Sequence, residues 1–120
     1  MWLLSTEQAA RLVALQRRRD LRRVGEALAE AFPAAPKRLG ERWGEFIEHG
    51  TARAAAYRLT HLLCVARFLA SWIACGSDFE SRQAGAAAIL TDDRRSEGAK
   101  IYQLCVRVLE HLHTAQAGQG

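Results

Sequence analysis

Only two prolines interrupt these 120 residues, Pro33 and Pro36, and no stretch alternates β-branched with polar residues. The first scarcity leaves long segments free to be helical, and the second removes the signature of half-buried strands. No apolar run reaches the roughly 20 residues that a membrane-crossing helix needs. The longest, Leu62 to Cys75, is shorter and is broken by Arg67. Cysteine is sparse as well. Cys64, Cys75 and Cys105 are an odd number, all inside apolar runs, without a C-x-x-C pair or zinc-finger spacing. That pattern reads as small buried hydrophobes in a reducing compartment. Met1-Trp2-Leu3-Leu4-Ser5 lacks the basic start and long apolar region of a secretory leader, so a cytoplasmic location is expected.

What is present is globular. Apolar residues make up 49% and charged residues 25%, which excludes an intrinsically disordered chain. This length gives one domain with a real core. Alanine, leucine, arginine and glutamate dominate, all good helix formers. The net charge of +4 suits an acidic partner without by itself implying nucleic acid.

Ser5 and Gln8 have capping-box spacing, and Leu12, Leu21, Val24, Leu28 and Phe32 return to one face. One long first helix is expected from about Thr6. A second is expected over 37–49, with Pro36 in its first turn and Gly50 as its left-handed C-terminal residue. Thr51 then caps a short third helix reaching Leu59. The segment 61–75 is apolar nearly all round, which places it at the centre of a bundle, and Gly76 ends it. A short alanine-rich helix over 83–90, a polar turn and a last helix over 96–113 complete the pattern. The expected architecture is all-α, a compact bundle of five to six helices formed by residues 1–114, with a disordered tail over 115–120.

Chemistry finds little purchase. His61 and Cys64 share a helix face, but the spacing supplies no further metal ligands. His111 and His113 point to different faces. No nucleophile setting or phosphate-binding glycine loop appears, so neither enzymatic activity, metal nor cofactor is expected. The distinctive charge feature is the first helix, which carries Arg11, Arg17, Arg18, Arg19, Arg22 and Arg23. Arg18 with Arg22, and Arg19 with Arg23, stack like charges at i, i+4, at a cost of a few tenths of a kcal/mol per pair. Such a face suits an acidic protein partner. It equally suits phosphates, or solvent over long apolar stems. No aromatic or amide interleaving points to base contacts. Trp2 beside Leu3 and Leu4 forms an apolar tip that serves either as a staple or as a partner anchor. The candidate partner-binding residues are therefore Trp2, Arg11, Arg18, Arg19, Arg22 and Arg23. Gly50, Gly76, Asp78 and Phe79 are expected to be structural, with Asp78 capping the turn that follows and Phe79 plugging the bundle end.

A series of short strings runs through the chain: Phe32-Pro33, Leu39-Gly40-Glu41, Phe46-Ile47-Glu48-His49-Gly50 and Ala54-Ala55-Ala56-Tyr57. Gly76-Ser77-Asp78-Phe79, Ala88-Ile89-Leu90-Thr91-Asp92 and Tyr102-Gln103-Leu104 follow. In that order they resemble the small helical proteins encoded in bacterial type VI secretion effector clusters, beside VgrG or PAAR spike proteins, adaptors and toxins. Tyr57 to His61 and Ala86 to Ala88 depart from that pattern. The resemblance implies a co-adaptor or co-chaperone that binds the effector adaptor or its toxin cargo and aids loading on the spike. The rival readings are an immunity protein that inhibits the toxin and a nucleic-acid-binding regulator using the arginine-rich helix.

Overall fold

The computed structural model describes the backbone of residues 6–83 and 85–119, and within these the side chains outside 9–15 and 115–119. Seven α-helices and one 3-10 turn account for the regular structure, and no strand occurs among the described residues. They are α1 (Thr6–Ala31), α2 (Ala34–Leu39), the 3-10 turn Gly40–Arg42, α3 (Trp43–Ala56), α4 (Leu62–Cys75), α5 (Phe79–Arg82), α6 (Ala86–Leu90) and α7 (Glu97–Gln119). The protein is an all-α bundle, and no described helix is long and apolar enough to cross a membrane.

The core is built around α4, which packs against α1, α3 and α7. Val65, Phe68, Leu69 and Trp72 are buried on α4, with Val24 and Leu28 from α1, Ile47 and Ala54 from α3, and Ile101 and Leu104 from α7. The expectation of a central helix over 61–75 holds, although α4 is not apolar to solvent on every side. Leu63 is half exposed, and Arg67 lies on the surface.

Two long-range polar contacts fix where α4 begins and where α3 stops. Glu97, the first residue of α7, accepts the backbone N–H groups of Thr60 (2.7 Å) and His61 (2.9 Å) and the Thr60 hydroxyl (2.9 Å). A carboxylate from another helix thus satisfies donors at the start of α4, where His61, the residue before it, makes no side-chain cap of its own. At the other site, Lys100 is buried to 3% exposure and donates from Nζ to the Tyr57 carbonyl at 3.0 Å, covering the C-terminal end of α3.

The segment 34–59 differs from the sequence expectation. Pro36 does lie in an early helical turn, but α2 starts at Ala34 and ends at Gly40, whose φ is +56°. Gly50 ends nothing. It lies inside α3, buried, and a Cβ there would come within 2.8 Å of Leu69 Cγ. Its lack of a side chain serves the close approach of α3 to α4. Thr51 is accordingly a helix-interior residue and not a cap. The true end is a Schellman-type turn. Leu59 N–H donates to the Ala54 carbonyl at 2.9 Å, Arg58 takes a left-handed φ of +63°, and buried Leu59 anchors it. At the far end of the chain, the backbone of α7 runs to Gln119.

Candidate interaction surface

The arginines of α1 lie on the part of the helix that precedes and flanks its core anchors. Leu21, Val24 and Leu28 turn towards the bundle, and Arg17, Arg18, Arg19, Arg22 and Arg23 are all exposed. A period of 3.6 residues puts Arg18 and Arg22 on one flank of the helix and Arg19 and Arg23 towards its back. Among the described residues none of these five guanidinium groups has a carboxylate within ion-pair distance. Asp20, the nearest acid in sequence, accepts a hydrogen bond from Gln16 at 3.0 Å. The positive charge of this face is therefore left for solvent or a partner. The side chain of Arg11 and the whole of Trp2 lie outside the described residues.

Beside this face runs an open groove of about 590 Å³ between α1 and α3. It is lined by Leu21, Gly25 and Ala29 of α1 with Trp43, Gly44 and Ile47 of α3. Arg22, Glu26 and Glu48 stand on its rims. Trp43 stacks on Phe46 with ring centroids 5.7 Å apart, which restrains the indole beside the groove.

A second polar centre lies under the surface, and the sequence reading missed it. Glu80 has no exposed area, yet each carboxylate oxygen is engaged. Oε1 accepts from Trp72 Nε1 at 2.8 Å. Oε2 accepts from Tyr57 Oη at 2.9 Å and Arg53 Nη1 at 3.1 Å. Burial pushes the carboxyl pKa up, but the Trp72 and Tyr57 hydrogen bonds, with the Arg53 charge, outweigh that and leave it below its ordinary value. The opposite holds for Tyr57, whose pKa is raised by burial and by its bond to Glu80. An ionised carboxylate with all donors satisfied and no path to solvent ties α3, α4 and α5 together; it is not presented to a substrate. The one legible trace was Arg53 and Tyr57 at i, i+4 across the end of α3.

Asp78 belongs to this centre and does not cap α5. It adopts a left-handed φ of +62°, and its side chain makes no cap bond. Oδ1 instead lies 3.1 Å from Arg53 Nη2, an ion pair without hydrogen-bond alignment. Gly76 ends α4 with φ +100°. Phe79 is buried and meets the His111 ring edge-on at 5.3 Å, closing the α5–α7 end of the bundle. The three cysteines are free, and burial raises each thiol pKa, which leaves them protonated near neutrality. Among the described residues no group of three His, Cys, Asp or Glu is placed to hold a metal ion.

Comparison of the chain with protein-family models, with curated proteins and with solved structures finds no match.

Proposed function

We propose that this chain is a non-catalytic accessory factor that binds another protein through the arginine face of α1. The specific role is that of a cytoplasmic co-adaptor or co-chaperone, which engages a type VI secretion effector adaptor or its toxin cargo and aids loading on the spike. The carrying observation is the run Arg18, Arg19, Arg22 and Arg23, exposed and without intramolecular ion pairs among the described residues, beside an apolar groove. Like charges packed along one helix are unfavourable in the free protein, so an acidic partner that neutralises them gains both attraction and relief of repulsion. The secretion context rests on the sequence strings from Phe32 to Leu104 described above.

The test is co-expression with the adaptor and effector encoded beside it, followed by affinity purification and size exclusion, for the native chain and for Arg18→Glu/Arg22→Glu. A stable complex with the adaptor, or with adaptor and toxin together, that the charge reversal disrupts is the expected result. Capture of the toxin alone with loss of its toxicity would make the chain an immunity protein. Binding to duplex DNA with a steep salt dependence, and to neither protein, would make it a nucleic-acid-binding regulator.

A further inference from the structure

We infer that the groove between α1 and α3 seats a helix of the partner, apolar or small on its contacting face and acidic along the edge lying over Arg18 and Arg22. The inference rests on the reading that the chain binds a protein, and adds which surface is used and what chemistry fills it.

The shape favours a rod. A small-molecule site encloses most of its ligand, whereas this groove is open along the surface and could not bury 70–90% of a compact molecule. A helix laid between two helices needs an interaxial distance of about 8–10 Å, and the closer figure requires small residues at the contact. Gly25, Ala29 and Gly44 supply them.

The two glycines are otherwise unexplained. Gly25 lies within α1 and Gly44 in the first turn of α3, and neither has a positive φ. A glycine inside a helix costs about 1 kcal/mol against alanine. At Gly50 the fold itself requires the missing Cβ, because Leu69 occupies that space. At Gly44 a Cβ would meet nothing within 4 Å, and at Gly25 it would meet only Ile47 and Trp43, each at 3.9 Å, an ordinary contact. What these two glycines share is the groove, whose lining they leave bare.

Charge selects the partner's edge. Arg22 stands on the α1 rim of the groove, and Arg18 lies one turn before it on the same flank. Carboxylates along a docked helix would face both. Glu26 and Glu48 on the rims suit a single cation elsewhere on that helix, which sets its direction. Trp43 lines the groove, with its indole Nε1 3.9 Å from where a Gly25 Cβ would stand, so a side-chain carboxylate or amide of the incoming helix can accept from this N–H.

The probe is a synthetic amphipathic 18-residue peptide with leucine and alanine on one face and glutamate along one adjoining edge, beside the same peptide with lysine for glutamate. Each is titrated into the full-length, 15N-labelled protein, reading the amides of Gly25 and Gly44 and the Trp43 indole N–H. The expected result is saturable shifts of these three signals with the glutamate peptide and none with the lysine peptide. Affinity should fall at least tenfold in Gly44→Leu, whose side chain fills space that is open in the fold, and in Arg18→Glu/Arg22→Glu. Shifts absent from all three signals, equal binding of the lysine peptide, or undiminished affinity in a folded Gly44→Leu overturns the inference. If Gly44→Leu does not fold, the mapping on the native chain decides alone. A native complex with the adaptor that is indifferent to Gly44→Leu removes the groove and leaves protein binding standing. Peptide seated in the groove without any adaptor or toxin complex removes the secretion role and leaves the groove.

Discussion

The indole N–H of Trp72 donates to Glu80 Oε1 at 2.8 Å across the turn made by Gly76, so the last full turn of α4 is tied to the start of α5. The other carboxylate oxygen reaches back to Arg53 on α3 and to Tyr57 just past its end. One buried side chain therefore sets the relative placement of three helices, one of them only four residues long. A helix so short has no stability of its own and takes its conformation from such contacts.

Glu80→Ala should accordingly be among the most damaging single substitutions. It leaves the Trp72 and Tyr57 donors without their acceptor and Arg53 with Asp78 alone, and each buried donor left unsatisfied costs about 1–3 kcal/mol. Glu80→Gln retains the shape and one acceptor oxygen and should cost less, about 1–3 kcal/mol. Urea denaturation of both variants checks the order. Equal losses would mean that shape, and not charge, is what α5 requires.

The same residue gives the stability a pH dependence of known sign. Glu80 and Glu97 both have folded pKa values below the ordinary carboxylate value. For Glu97 the hydrogen bond from the His61 N–H is the leading cause, and the bonds from Thr60 add to it. Groups lowered in this way contribute fully above the unfolded value of about 4.3, and the contribution disappears as pH falls through the folded values. Denaturation midpoints should be flat from pH 7 to about 5 and decline below that. In Glu80→Gln the acid decline should be shallower. Tyr57 acts at the other end. Its folded pKa is raised, so stability should fall again above the ordinary tyrosine value of about 10.

Gly40 and Gly50 show why part of the fold was legible in the sequence and part was not. Helices α1 and α7 announce themselves by periodic apolar residues and α4 by its nearly unbroken apolar run, both local signals. Either glycine could have ended a helix on local grounds. The choice is made by Leu69 on a different helix, which fills the space over Gly50, while Gly40 meets nothing and is free to take φ +56°. Glu80 was hidden for the same reason. A glutamate in a short polar turn reads as surface, and only the meeting of Arg53, Tyr57 and Trp72 turns it inward. The arginine run was legible because exposure on a helix follows from period alone, but the groove beside it needs the crossing of α1 and α3.

From Gly50 follows a coupling that can be measured. Gly50→Ala forces its Cβ against Leu69 and should destabilise by about 1–3 kcal/mol, as overpacking does. Leu69→Ala alone opens a cavity and should cost about 2–5 kcal/mol. Combined, the loss should be smaller than the sum by about 0.5–3 kcal/mol, because the smaller residue removes the clash. Strict additivity would show that α3 and α4 adjust independently at this contact.

In the groove two substitutions should stabilise. Gly44→Ala adds a methyl group that meets nothing within 4 Å and replaces a poor helix former, for a gain of up to about 1 kcal/mol. Arg22→Ala removes a like charge four residues from Arg18 and raises helix propensity, for about 0.2–0.5 kcal/mol. Thermal unfolding of each variant measures the gain directly. Because neither site shares a partner with the buried Glu80 centre, each gain should add to the losses of the Glu80 variants. A fold that is made more stable by changing the groove lining and its arginine rim keeps those residues against its own stability, as a surface shaped for a partner does. If both substitutions destabilise, the glycine and the arginine serve the fold, and the case for the groove as a docking surface loses its energetic support.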